Sequence, residues 1–436
     1  MILDGVLERT TVEDRVREVA GGLLAKGVGR GDRVAWQLPN RTDAIVLYRA
    51  CWRIGATAVP MHHLAGASER AAILSALAPT LVVDGDSLPT GAAITEPNAT
   101  PDDIAVILHT SGSSGTPKGV RHTQGALAYK AKLMAGVHEL TPDDAVLMPA
   151  PLAHISGLLN GVLVPGAVPM KCVLMERWDP DVALDLIEAE RITFMIGPPT
   201  FFVGLMQAPS FASSRVASLR LISSGGAGVT PAFVERASST LGCVVKRTYG
   251  STEAPTITTS RPGDDPAKAR DTDGRPVGDV ELRVDLATGE LQVRGSELFV
   301  GYTDPAQTEA AYTEDGWFRT GDVATIDDGW LTIVGRIKDI IIRGGENISA
   351  AEVEAALEAH PAVHQAVAVG EPDDRLGERV VAVVVAPGGF DLNACTAWFE
   401  EQGIARFKTP ERVVVVESLP VLASGKPDRT AIRSMV

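Results

Sequence analysis

The sequence predicts an α/β protein with a large N-terminal domain of layered sheets, a β-rich subdomain and a small α+β C-terminal domain. Three observations carry this prediction. The 436 residues are too many for one ordinary core, so two or more domains are expected. Up to about residue 276, strand-like apolar runs alternate with helical periodicities, which is typical of mainly parallel sheets. Short strands and turns follow, and after Lys338-Asp339 helices and strands are mixed again.

The large domain begins with a helix. Apolar residues at helical spacing follow Thr11, an N-cap residue, and Gly27 ends the helix. Further along, Thr230-Pro231 combines an N-cap with a first-turn proline. The predicted strands are 33–38, 56–60, 80–83, 192–196, 219–222 and 244–247, and the predicted helices are 42–53, 68–77, 181–190 and 231–241.

The rest of the chain divides into the two smaller units. The β-rich subdomain has strands at 281–284, 290–293, 323–326 and 330–334. In the small domain, Ser349 and Glu352 form a capping box that opens a helix to about Ala359. The strands 366–369, 380–385 and 413–416 and the helix 392–402 complete a domain of roughly a hundred residues, a usual size.

Composition excludes several classes of partner. The net charge of −15 argues against non-specific binding to nucleic acid or to an anionic membrane. No apolar run reaches the ~18 residues of a membrane span, and the N-terminus lacks a signal-like pattern. The cysteines Cys51, Cys172, Cys243 and Cys395 are far apart and lack metal-ligand spacing. We therefore expect a cytoplasmic protein with reduced thiols.

A glycine-rich loop follows the apolar run 104–108, which is typical of a buried strand. Its free backbone N–H groups can bind phosphate oxygens, and Lys118 adds a positive charge. The motif differs from the usual P-loop because Pro117 precedes the lysine and Gly119 follows it. Pro117 disfavours helix at Thr116, so we expect Lys118 on a flexible loop. The alternative, which a short Gly/Ser run alone would favour, is a turn with a solvated lysine.

Two more loops of small residues, 223–228 and 249–253, also follow predicted strands. In parallel α/β sheets, ligands bind beyond the carboxyl ends of the strands. The three loops together therefore indicate one ligand crevice.

Five motifs occur in the order found in the adenylate-forming superfamily. They are the glycine loop, Tyr249-Gly-Ser-Thr-Glu253, Gly316-Trp-Phe-Arg-Thr-Gly-Asp322, Gly335-Arg-Ile-Lys-Asp339 and Ser424-Gly-Lys426. Over nearly its whole length the chain resembles this group, which includes acyl-CoA synthetases, firefly luciferase and the adenylation domains of peptide synthetases. The resemblance implies that a small-molecule carboxylic acid attacks the α-phosphate of ATP, giving an acyl-adenylate and pyrophosphate. A thiol, usually that of coenzyme A, then displaces AMP, and Mg²⁺ is the metal cofactor.

The resemblance also implies roles for individual residues. The loop for the β- and γ-phosphates consists of Thr110, Ser111, Gly112, Ser113, Ser114, Gly115, Thr116 and Lys118. The adenine site consists of Gly225, Gly226 and Ala227 with Tyr249, and the same motif continues with Gly250 and Ser251. Thr252 contacts the α-phosphate, Glu253 binds Mg²⁺, Asp322 accepts the ribose hydroxyls, and Arg336 lies at the ribose and phosphate. Without their neighbours, these residues would be interpreted as polar turns, a core aromatic and surface charges.

Lys426 resembles the lysine that contacts the carboxylate and α-phosphate oxygens as charge develops there. Lys338 occupies the hinge between domains 1–337 and 338–436, so the resemblance implies a mobile C-terminal domain. For thioester formation, Gly344, Gly345 and Glu346 replace Lys426 at the site. The alternatives are a solvated lysine for Lys426 and an exposed linker residue for Lys338.

The acid is less closely specified. His154 matches a residue of the family's acyl pocket, although a structural core histidine is an equally good interpretation. An amino acid substrate is disfavoured because no aspartate lies near His154. The pocket could include Leu158, Leu159, Val162, Phe194, Phe201 and Phe202.

The chain most resembles ligases for fatty and cyclohexanecarboxylate-type acids, and coenzyme A is favoured as the thiol. The alternatives are an aryl-acid CoA ligase, an acyl-AMP ligase that loads a carrier protein, and a nucleotide- or acyl-CoA-binding protein without catalysis. The chain could form a homodimer.

Overall fold

The computed structural model describes residues 2–3, 6–7, 9–85, 87–110, 118–422 and 425–436. Its architecture is the predicted α/β arrangement. A large N-terminal part contains two mainly parallel sheets and a β-rich unit, and a smaller C-terminal part contains a mixed sheet with helices. Separate clusters of buried apolar side chains stabilise these parts.

The largest sheet is parallel at its centre. Across the sheet its strands are Arg275–Pro276, Thr258–Thr259, Val244–Tyr249, Leu221–Gly225, Phe194–Gly197, Ala145–Met148, Lys171–Leu174, Ile2–Leu3 and Val6–Leu7. Each pairing from Val244–Tyr249 to Ile2–Leu3 is parallel, and the outer pairings are antiparallel. Parallel pairing brings the carboxyl ends of the central strands, and the loops that follow them, to one edge of the sheet.

The second sheet carries the strand before the glycine loop. Its strands are Leu81–Val83, Arg33–Gln37, Thr57–Met61, Ile104–Thr110 and Lys118–Thr123, and its last pairing is an antiparallel hairpin. Side chains of both large sheets share one apolar core. Within this core the rings of Trp36 and Tyr48 pack edge to face, with their centroids 4.9 Å apart.

The two smaller sheets are mainly antiparallel. The β-rich unit consists of Glu281–Val284, Glu290–Arg294, Phe318–Asp327 and Trp330–Arg336. The C-terminal sheet consists of Glu346–Ser349, Ile340–Arg343, Gly377–Val385 and Gln365–Asp373, and Arg412–Val416 pairs parallel to Gly377–Val385.

Several helices begin at capping side chains, as the sequence predicts. Thr230 accepts a hydrogen bond from the N–H of Phe233, and Ser349 accepts one from the N–H of Glu352. The helices are Arg9–Ala25, Thr42–Arg53, Ala67–Leu77, Gln124–Val137, Ile155–Leu158, Val164–Ala167, Pro180–Glu190, Pro199–Gln207, Pro231–Leu241, Pro266–Asp271, Pro305–Ala311, Ala350–Glu358, Leu392–Glu401 and Arg429–Arg433. Residues 159–163 form a π-helical turn, and 213–216, 337–339 and 406–408 form 3₁₀ turns.

The structure differs from the sequence prediction at short elements. The first helix begins at Arg9, so Thr11 lies inside it and is not its N-cap. The strands Ala145–Met148 and Lys171–Leu174 and the helix Pro199–Gln207 were not predicted. Each is a short apolar run, in which periodicity alone does not distinguish strand from helix.

None of the helices in the described ranges is both long and apolar enough to cross a bilayer. The four cysteines are buried and form no disulfide.

Candidate functional site

The glycine loop joins the two strands of the hairpin in the second sheet. Thr110 ends the first strand and pairs with Lys118, which begins the second. The expectation of a flexible loop for Lys118 is therefore wrong, because this residue is held in the sheet. Its ammonium lies over the Tyr302 ring, 5.2 Å from the centroid. The other predicted residues of this loop lie outside the described residues: Ser111, Gly112, Ser113, Ser114, Gly115 and Thr116.

The second loop leaves the end of the strand Leu221–Gly225. Gly225 lies opposite Thr248, and a Cβ at this position would lie 2.1 Å from the Thr248 carbonyl oxygen. Gly226 follows with a φ of 77°, a left-handed conformation that favours glycine. Ala227 continues the turn and is half-buried. Because neither glycine carries a side chain, another group can approach the backbone of this turn closely.

The third loop leaves the adjacent strand and connects to the β-rich unit. The Tyr249 hydroxyl donates a 2.6 Å hydrogen bond to Oδ2 of Asp322, and Nε of Arg336 lies 2.9 Å from Oδ1. Asp322 is 3% exposed. Burial, together with this carboxylate, raises the pKa of Tyr249, so its hydroxyl remains a donor. The structure thus brings together three predicted residues from distant parts of the sequence.

The same loop turns sharply after Tyr249. Gly250 is needed because a Cβ there would lie 2.3 Å from the N atom of Thr256. The N–H of Ser251 donates to the Ala254 carbonyl at 2.9 Å. The carbonyl of Thr252 is 2.7 Å from Nε2 of His122.

Glu253 is fixed at both its backbone and its side chain. Its carbonyl accepts a hydrogen bond from the Phe299 N–H at 2.8 Å, and Oε1 accepts one from the Tyr302 hydroxyl at 2.8 Å. Among the described residues, no group of three or more His, Cys, Asp or Glu side chains could hold a metal ion. Glu253 nonetheless fits Mg²⁺, which is commonly bound by one or two carboxylates together with substrate phosphates and water.

Lys426 reaches this site from the C-terminal part of the chain. A Cβ on Gly226 would lie 2.9 Å from Cε of Lys426, so the lysine side chain passes directly over the glycine turn. The Thr200 hydroxyl donates to the Gly425 carbonyl and anchors the backbone beside it. Burial and the charge of Arg336 lower the pKa of Lys426, against the opposing effects of Asp322 and Glu253. The lysine is therefore a cation among the predicted nucleotide residues.

His154 lies beside this cluster. It precedes the helix Ile155–Leu158, and its ring packs edge to face with that of His62, with centroids 5.4 Å apart. Burial, followed by the charges of the nearby His62 and Lys426, lowers the pKa of His154 to about 4. His154 is thus neutral at neutral pH.

The apolar residues expected near His154 separate into different environments. Phe201 is next to Gly425 and stacks on Trp178, with ring centroids 4.5 Å apart. Phe194 and Phe202 are fully buried in two different clusters and belong to the core. Leu158, Leu159 and Val162 are buried in the same cluster as Phe194.

The residues of the expected hinge and of the second half-reaction are not at this cluster. Lys338 is exposed in the 3₁₀ turn that follows Arg336. Gly344 and Gly345 form a hairpin turn before Glu346, and the Gly344 N–H donates to the Leu376 carbonyl within the C-terminal part.

Neither His122 nor Tyr302 was predicted from the sequence. Both act through long-range contacts, with Thr252 and Glu253 respectively. A lone histidine or tyrosine carries no local signal of such a contact.

Comparison with known proteins identifies the family of this site. The model of the AMP-binding enzyme matches residues 10–96 and 85–303, and that of the AMP-binding enzyme C-terminal domain matches residues 352–426. The chain belongs to the AMP-binding enzyme family. It is therefore an adenylate-forming enzyme, and its fold has the large N-terminal and smaller C-terminal domains of that family.

Similar members of this family include CoA ligases. The chain is 34% identical to the medium-chain fatty-acid–CoA ligase of Escherichia coli, over 95% of this chain and 83% of that protein. It is 34% identical to the indoleacetate–CoA ligase of Aromatoleum aromaticum, over 97% of this chain and 91% of that one. ATP-bound MatB from Rhodopseudomonas palustris has a similar structure, with a TM-score of 0.88 and 29% identity over 100% of this chain and 94% of that one.

Proposed function

We propose that this AMP-binding enzyme is an ATP-dependent carboxylic acid–CoA ligase. The observation that carries the proposal is the position of Lys426, whose side chain passes over Gly226 and lies within electrostatic reach of Asp322 and Glu253. A cation in this position suits the charge that develops when a carboxylate attacks a phosphate. The names of the similar ligases support an acid and coenzyme A as the other substrates.

In the first half-reaction, an oxygen of the acid bonds to the α-phosphorus of ATP while the bond to pyrophosphate breaks. We assign the ribose to Asp322 and Arg336, the adenine to the turn Gly225–Gly226–Ala227 with Tyr249, and the α-phosphate to Thr252. The residues Gly250 and Ser251 shape that loop. Lys118 and Thr110 flank the loop assigned to the departing pyrophosphate.

Mg²⁺ would be held by Glu253, and when bound it neutralises phosphate charge. The protein's own contribution is alignment of the acid with the phosphorus and stabilisation of negative charge by Lys426.

In the second half-reaction, the coenzyme A sulfur bonds to the acyl carbon and AMP leaves. We propose that the domain 338–436 rotates about Lys338 relative to 1–337, removing Lys426 and bringing Gly344, Gly345 and Glu346 to the site. The short exposed turn at Lys338 supports this proposal. The contacts that Lys426 makes across the two domains would then belong to the adenylate-forming arrangement.

Glu358 gives a pH test of this domain movement. In the present arrangement its Oε2 accepts a hydrogen bond from the Thr230 hydroxyl of the large domain at 3.1 Å, and burial raises its pKa from 4.5 to about 7. The protonated form is favoured here, so this arrangement should weaken as pH rises from the ordinary pKa towards 7. We expect energy transfer between dyes on the two domains to fall across this range in the wild type and to be flat for Glu358→Gln.

The control for this test is Glu352→Gln, on the same helix, whose side chain pairs with Lys408 inside the small domain. This variant should keep the wild-type pH profile. An unchanged profile in Glu358→Gln would contradict the assignment to Glu358.

We propose a medium-chain fatty or alicyclic acid as the substrate. The neutral His154 and the apolar Phe201, which lies next to Gly425, favour an uncharged chain next to the reacting carboxylate. An aryl acid is the second candidate, which the similarity to an indoleacetate–CoA ligase favours.

A panel of short, medium, alicyclic and aromatic acids tests the function directly. We expect AMP and acyl-CoA to form together when ATP, Mg²⁺ and free coenzyme A are supplied, at the highest rate with medium-chain or alicyclic acids. Pyrophosphate release without acyl-CoA would instead indicate a carrier protein as the acceptor. Pyrophosphate release at background with every acid would overturn the proposed function.

A further inference from the structure

Tyr302 connects the carboxylate of Glu253 to the β-rich unit. Its hydroxyl donates a 2.8 Å hydrogen bond to Oε1 of Glu253. In the described part of the chain, Oε2 of Glu253 has no hydrogen-bond donor. One carboxylate oxygen is therefore engaged by Tyr302, and no hydrogen bond from another described residue engages the other.

The Tyr302 ring is held rigidly enough to direct this hydrogen bond. It is 5% exposed and packs edge to face on Phe299, with ring centroids 4.9 Å apart. The backbone N–H of Tyr302 donates a hydrogen bond to the Thr308 hydroxyl at 2.8 Å. The Tyr302 backbone also forms a β-bridge with Val120 in the hairpin of the second sheet. The Lys118 ammonium covers its ring.

The hydroxyl is the donor of this pair, because an ionised carboxylate has no proton to give and only accepts hydrogen bonds.

We propose that Tyr302 is a positioning residue, which holds Oε1 of Glu253 so that Oε2 faces the divalent cation bound with ATP. A carboxylate with one oxygen already engaged presents a single oxygen in a fixed direction, which suits a small cation with strict octahedral geometry. The hydrogen bond also limits rotation of the carboxylate before ATP binds. This inference rests on the proposed function, because it assumes that the cation enters with ATP.

The test compares ATP binding with and without Mg²⁺, measured by calorimetry on the full-length protein. The readout is the factor by which Mg²⁺ tightens ATP binding, so it does not depend on turnover. We expect Tyr302→Phe to reduce this factor roughly three- to tenfold, since a charge-assisted hydrogen bond is lost while the ring remains. Because the factor is a ratio within each variant, a general loss of stability does not imitate it.

Tyr312→Phe is the matched control. Tyr312 packs on the same Phe299 ring, but its hydroxyl points to the Phe299 carbonyl at 3.4 Å. This variant should keep the wild-type factor. In Glu253→Gln the factor should already be small, and adding Tyr302→Phe should change it no further.

The outcomes separate this inference from the function on which it rests. A full wild-type factor in Tyr302→Phe would overturn the positioning role alone. Independent, additive losses from Glu253→Gln and Tyr302→Phe would also overturn it, because the tyrosine would then act elsewhere. Failure of the wild-type protein to bind ATP would overturn both.

Discussion

Lys426→Ala is expected to reduce acyl-adenylate formation by roughly a hundred- to a thousandfold, the usual effect of removing one group that stabilises developing charge. The side chain lies over Gly226 and within the electrostatic influence of Glu253 and Asp322. No other lysine of the described residues is placed over this turn. The measurement is pyrophosphate release under saturating ATP and acid.

The internal control is thioester formation from supplied acyl-adenylate. This half-reaction should be nearly unchanged in Lys426→Ala, because the proposed domain rotation has already moved Lys426 away. Equal losses in the two half-reactions would contradict the role given to Lys426. The pH profile gives a second check: since burial lowers the pKa of Lys426, the wild-type adenylation rate should fall with rising pH earlier than an ordinary lysine would allow.

The sequence predicted those features of the site that depend on residues adjacent in the chain. Gly225 ends a strand and Gly226 follows it directly, and the absence of a side chain at both positions can be read from the residues themselves. Strand alternation also predicted that the loops after Leu221–Gly225 and Val244–Tyr249 lie together, because parallel strands carry their carboxyl ends to one edge. The element bounds at Thr42–Arg53 and Glu281–Val284 agree with the prediction because their patterns are long or well delimited.

Long-range contacts were out of reach. Pro117 is a local signal for a loop, but the pairing of Lys118 with Thr110 depends on the register of a whole hairpin. His122 meets Thr252 across 130 positions, and Tyr302 meets Glu253 across 49. The identity of the two side chains does not predict such a contact, because the contact depends on how separate elements pack.

The buried ion pair between Lys130 and Glu297 is the clearest case, and it leads to the largest expected effect on stability. Both side chains are 0% exposed, although they are 167 positions apart. Glu297→Gln should lower the free energy of unfolding by about 3–5 kcal/mol, because it leaves the Lys130 ammonium buried without a counter-charge. Urea denaturation measures this change. Glu281→Gln, which breaks the exposed pair with Arg294, is the control and should change stability by less than about 1 kcal/mol.

The pair itself is expected to contribute little net stability. Burial raises the pKa of Glu297 and lowers the pKa of Lys130, so for each group desolvation outweighs the attraction of its partner. Oε2 of Glu297 is also buried without a hydrogen bond in the described part of the chain. Replacing both residues, as Lys130→Met with Glu297→Leu, should therefore restore most of the stability lost in Glu297→Gln. Stability that stays as low as in the single variant would show that the ion pair is strongly stabilising.

The double replacement should still impair adenylation, because Lys130 has a second contact. Its ammonium donates a 3.0 Å hydrogen bond to the carbonyl of Thr256, a residue with a φ of 40°, which is unfavourable for a β-branched side chain. Thr256 packs against Gly250 at the base of the loop that carries Thr252 and Glu253. A stable but slow double variant would assign Lys130 to holding this loop in its strained form. Wild-type pyrophosphate release would instead limit the pair to packing between the helix Gln124–Val137 and the β-rich unit.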